Sequence, residues 1–112
     1  MWVWSILAAV VAWFIYLRLT QVSGDEAKAV VERGAMLIDV RSRPEYESGH
    51  LPGAINIPLP DLQSRLSELG PTDAPKVVYC LAGTRSVAAR GVLKRGGFTQ
   101  VLNLGSMSRW PK

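Results

Sequence analysis

The residues best placed to do chemistry are the single cysteine, Cys80, and the short loop behind it, Leu81-Ala82-Gly83-Thr84-Arg85, followed by Ser86. An apolar run, Val77-Val78-Tyr79, leads into the thiol, and apolar residues recur at helical spacing from Val87 to Lys94, with Ser86 at the opening. A thiol at such a strand-to-helix turn faces the loop N–H groups and the positive end of the helix dipole, which favour an anion over a neutral thiol. Arg85 adds a fixed positive charge. If the loop closes as a nest of amides, sulfur at Cys80 is held as thiolate or persulfide, with a small anion bound beside it. The plainer alternative is that a lone cysteine after an apolar strand is a small buried hydrophobe without chemistry.

Two further sets of residues draw notice. Asp39-Val40-Arg41 closes the apolar run from Ala35 to Val40, and an acid and a base at a strand end are commonly solvated or paired with each other. His50 is the only histidine and lies in the polar stretch Ser42 to Pro52, where a surface or hydrogen-bonding role is the simpler reading. One cysteine and one histidine exclude a zinc-type cluster and an internal disulfide, so neither metal nor cofactor is expected. The net charge is +4, with acids scattered among the bases and no basic patch interleaved with aromatics, so a nucleic-acid partner is not expected.

The elements that must position these residues can be read in order. Ser23 and Glu26 have capping-box spacing, Ala27, Val30 and Val31 share a helical face, and Gly34 ends that helix. Ala35 to Val40 reads as a buried strand, and Ser42 to Pro52 as a polar connection with Pro44 and Gly49 as breakers. Pro52-Gly53 turns into a short strand, Ala54 to Ile57, closed by Pro58; leucines at 62, 66 and 69 predict an amphipathic helix over Pro60 to Leu69. After the Gly70 to Pro75 loop come the strand into Cys80, a helix ending before Gly96-Gly97, a last strand Val101 to Leu104, and a tail from Gly105 to Lys112. Strands alternating with helices predict an α/β domain with a small parallel sheet flanked by helices. Ligands bind such sheets beyond the carboxyl ends of the strands, which places Asp39-Arg41 and Cys80-Arg85 toward one crevice.

The amino-terminal segment stands apart. Met1 to Leu17 carries no charged side chain, Trp2, Trp4, Trp13 and Tyr16 sit toward its two ends, and Arg18 follows. These features predict a transmembrane helix over 1–18 that meets the membrane through residues 2–17, a linker over 19–24, and a domain over 22–112. A cleaved signal peptide fits less well, because no basic residue precedes the apolar run and Leu17-Arg18-Leu19 is a poor cleavage site. An interfacial helix is the other alternative. Arg18 on the carboxyl side predicts a single-pass protein with its domain in the cytoplasm.

Three stretches in order carry a family resemblance: Leu37-Ile38-Asp39-Val40-Arg41, Glu45-Tyr46-Glu47-Ser48-Gly49-His50-Leu51-Pro52-Gly53-Ala54-Ile55-Asn56-Ile57-Pro58, and Cys80 to Ser86. Over about Val22 to Trp110 the chain resembles the single-domain rhodanese (sulfurtransferase) family. The resemblance implies an α/β rhodanese fold and a cysteine that cycles through a persulfide, taking sulfur from a small anionic donor such as thiosulfate and passing it to cyanide, a thiol or a protein acceptor. Residue by residue, it implies Cys80 as nucleophile, Leu81, Ala82, Gly83, Thr84 and Arg85 as the substrate-binding loop, and Asp39 and Arg41 as a pair supporting that loop. His50 and Gly53 then shape a turn. Leu81 stands where many thiosulfate-using relatives carry arginine, which leaves the donor open, and Ser106 stands where a second glycine is common near the end.

Loop length argues against a related chemistry. Phosphatases of similar design separate cysteine and arginine by five residues to enclose phosphate, whereas four intervene between Cys80 and Arg85, a ring better suited to sulfur. The expectation is a membrane-anchored sulfurtransferase; its alternative is a non-catalytic, membrane-tethered binding module on the same fold.

Overall fold

The computed structural model describes residues 2–112, with side chains described for 2–16 and 21–112. Four parallel strands form one sheet in the order β2-β1-β3-β4, where β1 is Met36–Asp39, β2 Ile55–Asn56, β3 Lys76–Cys80 and β4 Val101–Ser106. Leu37 pairs with Val77 and Ile38 with Val78, while Ile38 also pairs with Ile55. Parallel pairing brings every carboxyl end to one edge, so that Asp39 lies beside Asn56 and Tyr79, and Cys80 beside Ser106.

Strand side chains alternate between two cores, as period-two geometry requires. Ile38, Val78 and Cys80 point to the face covered by α4 (Leu59–Leu62) and α5 (Thr84–Arg95), where Leu62, Ala89 and Leu93 are buried with them. Leu37, Val77 and Tyr79 point to the opposite face, with Ala27 of α2 (Gly24–Glu32), Leu51 and Ala54. Ser23 caps α2 by accepting from Glu26 N at 3.1 Å, in keeping with the sequence pattern.

Four local departures from the expected elements have physical causes. The connection Ser42 to Pro52 contains a helix, α3 (Arg43–Glu47), started by a full capping box between Ser42 and Glu45. Pro44 in its first turn does not oppose it, since proline there sacrifices no helical hydrogen bond. The helix expected over Pro60 to Leu69 is α4 followed by a 3-10 stretch, Gln63–Leu69, interrupted at Arg65 (φ −117°). Ser64 Oγ donates to Asp61 O at 2.9 Å there, a side-chain bond that competes with the helical ladder. Helix α5 begins at Thr84, earlier than Ser86, with Gly83 as its N-cap. Strand β4 runs on to Ser106 through a register shift, with Asn103 Oδ1 accepting from Gly105 N at 2.9 Å.

The amino-terminal helix α1 spans Trp2–Thr20. Among the described residues no helix is long and apolar enough to cross a membrane, so the spanning anchor expected over 1–18 is not supported. Its described apolar side chains are exposed, Trp2 to 71% and Trp4 to 73%. The side chain of Arg18, on which the expected orientation rested, lies outside the described residues.

Candidate active site

Cys80 is the last residue of β3 and is fully buried. The chain then reverses through Leu81-Ala82-Gly83 into α5, and two backbone amides converge on the sulfur: Gly83 N at 2.9 Å and Ser86 N at 3.4 Å from Cys80 Sγ. Donors aimed at one atom from a helix's first turn stabilise negative charge on that atom. Gly83 makes the turn possible by adopting φ +103°, a left-handed conformation open to glycine and strained for other residues. Ser86 Oγ closes the ring by donating to Gly83 O at 2.9 Å, and Ser106 Oγ secures the outer limb by donating to Leu81 O at 2.7 Å.

The loop residues singled out in the sequence take different positions. Leu81, Ala82 and Thr84 are exposed, Leu81 to 54%, while Gly83 is buried against Gln21 and Gly105. Of the amides following Cys80, those of Gly83 and Ser86 reach hydrogen-bonding distance of the sulfur. Arg85 is half-buried and engaged: its Nη1 donates to Glu45 Oε1 at 2.6 Å and its Nη2 to Glu45 Oε2 at 3.0 Å. The hydrogen bond from Arg85, with further bonds from Ser42, lowers the Glu45 carboxyl to about 2, and the same bond raises Arg85.

Asp39 and Arg41 do not line an open crevice as the strand ends suggested. Both are buried, joined by contacts of 2.7 to 3.1 Å, and Arg41 Nη2 also donates to Gly49 O at 2.7 Å. Tyr79 OH donates to Asp39 Oδ2 at 2.8 Å and accepts from Leu51 N at 3.1 Å. Burial, first, and the Asp39 carboxylate raise the Tyr79 phenol well above its ordinary range. His50 stacks on Tyr46 with centroids 3.8 Å apart, and its Nδ1 lies 2.9 Å from Tyr46 O; this places it in the connection before the Gly53 turn (φ +81°) and in none of the contacts made to Cys80. Among the described residues no three His, Cys, Asp or Glu side chains gather as metal ligands.

Glu45, Tyr79 and Gln21 were not singled out from sequence as site residues. The capping spacing of Ser42 and Glu45 was a signal for the α3 start, while the pairing of Glu45 with Arg85, 40 positions later, left none.

A parallel α/β domain whose cysteine ends a central strand beneath a ring of amides defines the class: the chain belongs to the Rhodanese-like domain family, whose model matches residues 23–112. It is 44% identical over 79 residues to the uncharacterized protein YqhL of Bacillus subtilis (strain 168), an alignment covering 70% of this chain and 62% of that protein. It is 41% identical over 71 residues to the thiosulfate sulfurtransferase PspE of Escherichia coli (strain K12), covering 62% of this chain and 68% of that one. Among solved structures, the human single-domain sulfurtransferase TSTD1 superposes with TM-score 0.72 at 29% identity, covering 81% of this chain and 94% of that chain.

Proposed function

We propose that this chain is a sulfurtransferase that carries sulfane sulfur on Cys80. The observation that carries the reading is the convergence of the Gly83 and Ser86 amides on Cys80 Sγ. In the first half-reaction the Cys80 thiolate attacks the outer sulfur of a donor such as thiosulfate. A sulfur–sulfur bond forms to Cys80, the donor's own sulfur–sulfur bond breaks, and sulfite leaves with the electron pair. The two amides stabilise the charge that the sulfur carries before attack and on the terminal sulfur afterwards. In the second half-reaction cyanide or a thiolate attacks that terminal sulfur, forming thiocyanate or a new persulfide and returning the Cys80 thiolate. Both halves require the 81–85 loop to part, because Cys80 has no exposed surface in this conformation. Thiosulfate-to-cyanide turnover tests the reading: the wild type turns over and Cys80→Ser does not, whereas equal rates in both refute it.

The complete burial of Cys80 favours a second reading, a binding module on the same fold. That module would show no turnover with any donor. In either case, we infer that α1 with its exposed tryptophans associates with a membrane surface. Sedimentation with lipid vesicles checks the association: the full chain pellets with vesicles, and a chain lacking residues 2–16 stays in the supernatant. Equal partitioning of the two would refute it.

A further inference from the structure

Arg85 is the one cation of the 81–85 loop, and its charge is not free. Its guanidinium is held in a two-point contact by Glu45, a carboxylate fixed in turn by Ser42, whose N donates to Glu45 Oε1 at 3.0 Å and whose Oγ donates to the same oxygen at 2.9 Å. The other acid close enough to act on Arg85, Asp39, is already paired with Arg41. Leu81, exposed beside the cysteine, adds no charge. The loop that follows Cys80 therefore presents a cation paired with a carboxylate and an exposed apolar side chain. At the sulfur itself the amides of Gly83 and Ser86 oppose negative charge directly, and Arg85 acts on it while paired to Glu45.

We propose that Glu45 is a specificity-determining residue: by cancelling Arg85 it sets this site against doubly negative donors such as thiosulfate and toward sulfane-sulfur donors of lower negative charge. The proposal rests on the sulfurtransferase reading for its donors, while its electrostatic core concerns access of anions to Cys80. Glu45→Gln is the sharp probe, because glutamine keeps the capping-box hydrogen bonds of α3 and an acceptor for Arg85 while removing the charge. A nearby unit charge acts on an anion strongly enough to be measured at a half-exposed site, and salt weakens the effect.

The experiment compares alkylation of Cys80 in the full chain by iodoacetate and by iodoacetamide, at low and high salt. In each reaction the Cys80 sulfur forms a bond to carbon and iodide leaves, so the two reagents differ in charge and share their chemistry. Glu45→Gln raises the iodoacetate-to-iodoacetamide rate ratio about 3- to 10-fold at low salt, and less at high salt. The rise vanishes when Arg85→Gln is the background, and KM for thiosulfate falls in E45Q by a similar factor. A ratio within twofold of wild type, a rise that persists without Arg85, or a thiol that neither reagent reaches would overturn the proposal. A raised ratio in a protein that transfers no sulfur would uphold the charge control and refute the sulfurtransferase reading; an unmoved ratio in an active enzyme would do the reverse.

Discussion

The phenol of Tyr79 donates to Asp39 Oδ2 at 2.8 Å, which ties the residue before the cysteine to the end of the neighbouring strand. Tyr79 and Cys80 point to opposite faces of β3, so this bond anchors the strand from below while the amide ring closes above it. Asp39 also neutralises the buried Arg41, whose guanidinium reaches on to Gly49 O. Asp39→Asn leaves that guanidinium buried without a counter-charge and is expected to cost about 3–5 kcal/mol. Tyr79→Phe removes two hydrogen bonds and keeps the ion pair, for about 1–3 kcal/mol. Urea unfolding of the two variants checks both the magnitudes and their order.

Gly83 is the residue on which the ring turns. At φ +103° an alanine is strained, and its Cβ would lie 3.1 Å from Gln21 Nε2. Gly83→Ala is expected to lower stability by about 1–2 kcal/mol. Adding Gln21→Ala should relieve the crowding and leave the backbone strain, so the double variant recovers only part of the loss in a denaturation series.

The Glu45 carboxyl, held at about 2 against an ordinary 4.5, links stability to acid. A carboxyl lowered on folding contributes stability that is whole above its unfolded value and is lost as pH falls through its folded one. The wild type should therefore be more stable than E45Q by a constant margin above about pH 5, and that margin should shrink between 4.5 and about 2. Thermal melts of both proteins across that range check the sign. A margin that grows on acidification would contradict it.

The sheet, its parallel sense and the cysteine turn were legible because β1 and β3 are apolar runs and because the switch from strand to helix spacing falls at Cys80. Helix α3 was hidden by Pro44, which breaks a helix interior and suits a first turn. The engagement of Arg85 was illegible for a different reason. Glu45 is already accounted for locally by Ser42, and only the fold brings α3 against the start of α5. Asp39 and Arg41 could be read as a pair, yet the bond that ties Asp39 to Tyr79, 40 positions away, left no mark in the spacing. The apolar amino-terminal segment showed a helix plainly, while among the described residues no helix is long and apolar enough to cross a membrane.

The central claim is that the sulfur beneath the Gly83 and Ser86 amides accepts and holds a second sulfur. Intact-protein mass spectrometry after incubation with thiosulfate tests it most directly. The account predicts a gain of one sulfur atom, removed by a reducing thiol and absent in Cys80→Ser. A mass unaltered by any sulfane-sulfur donor, or an adduct that survives in Cys80→Ser, would contradict it.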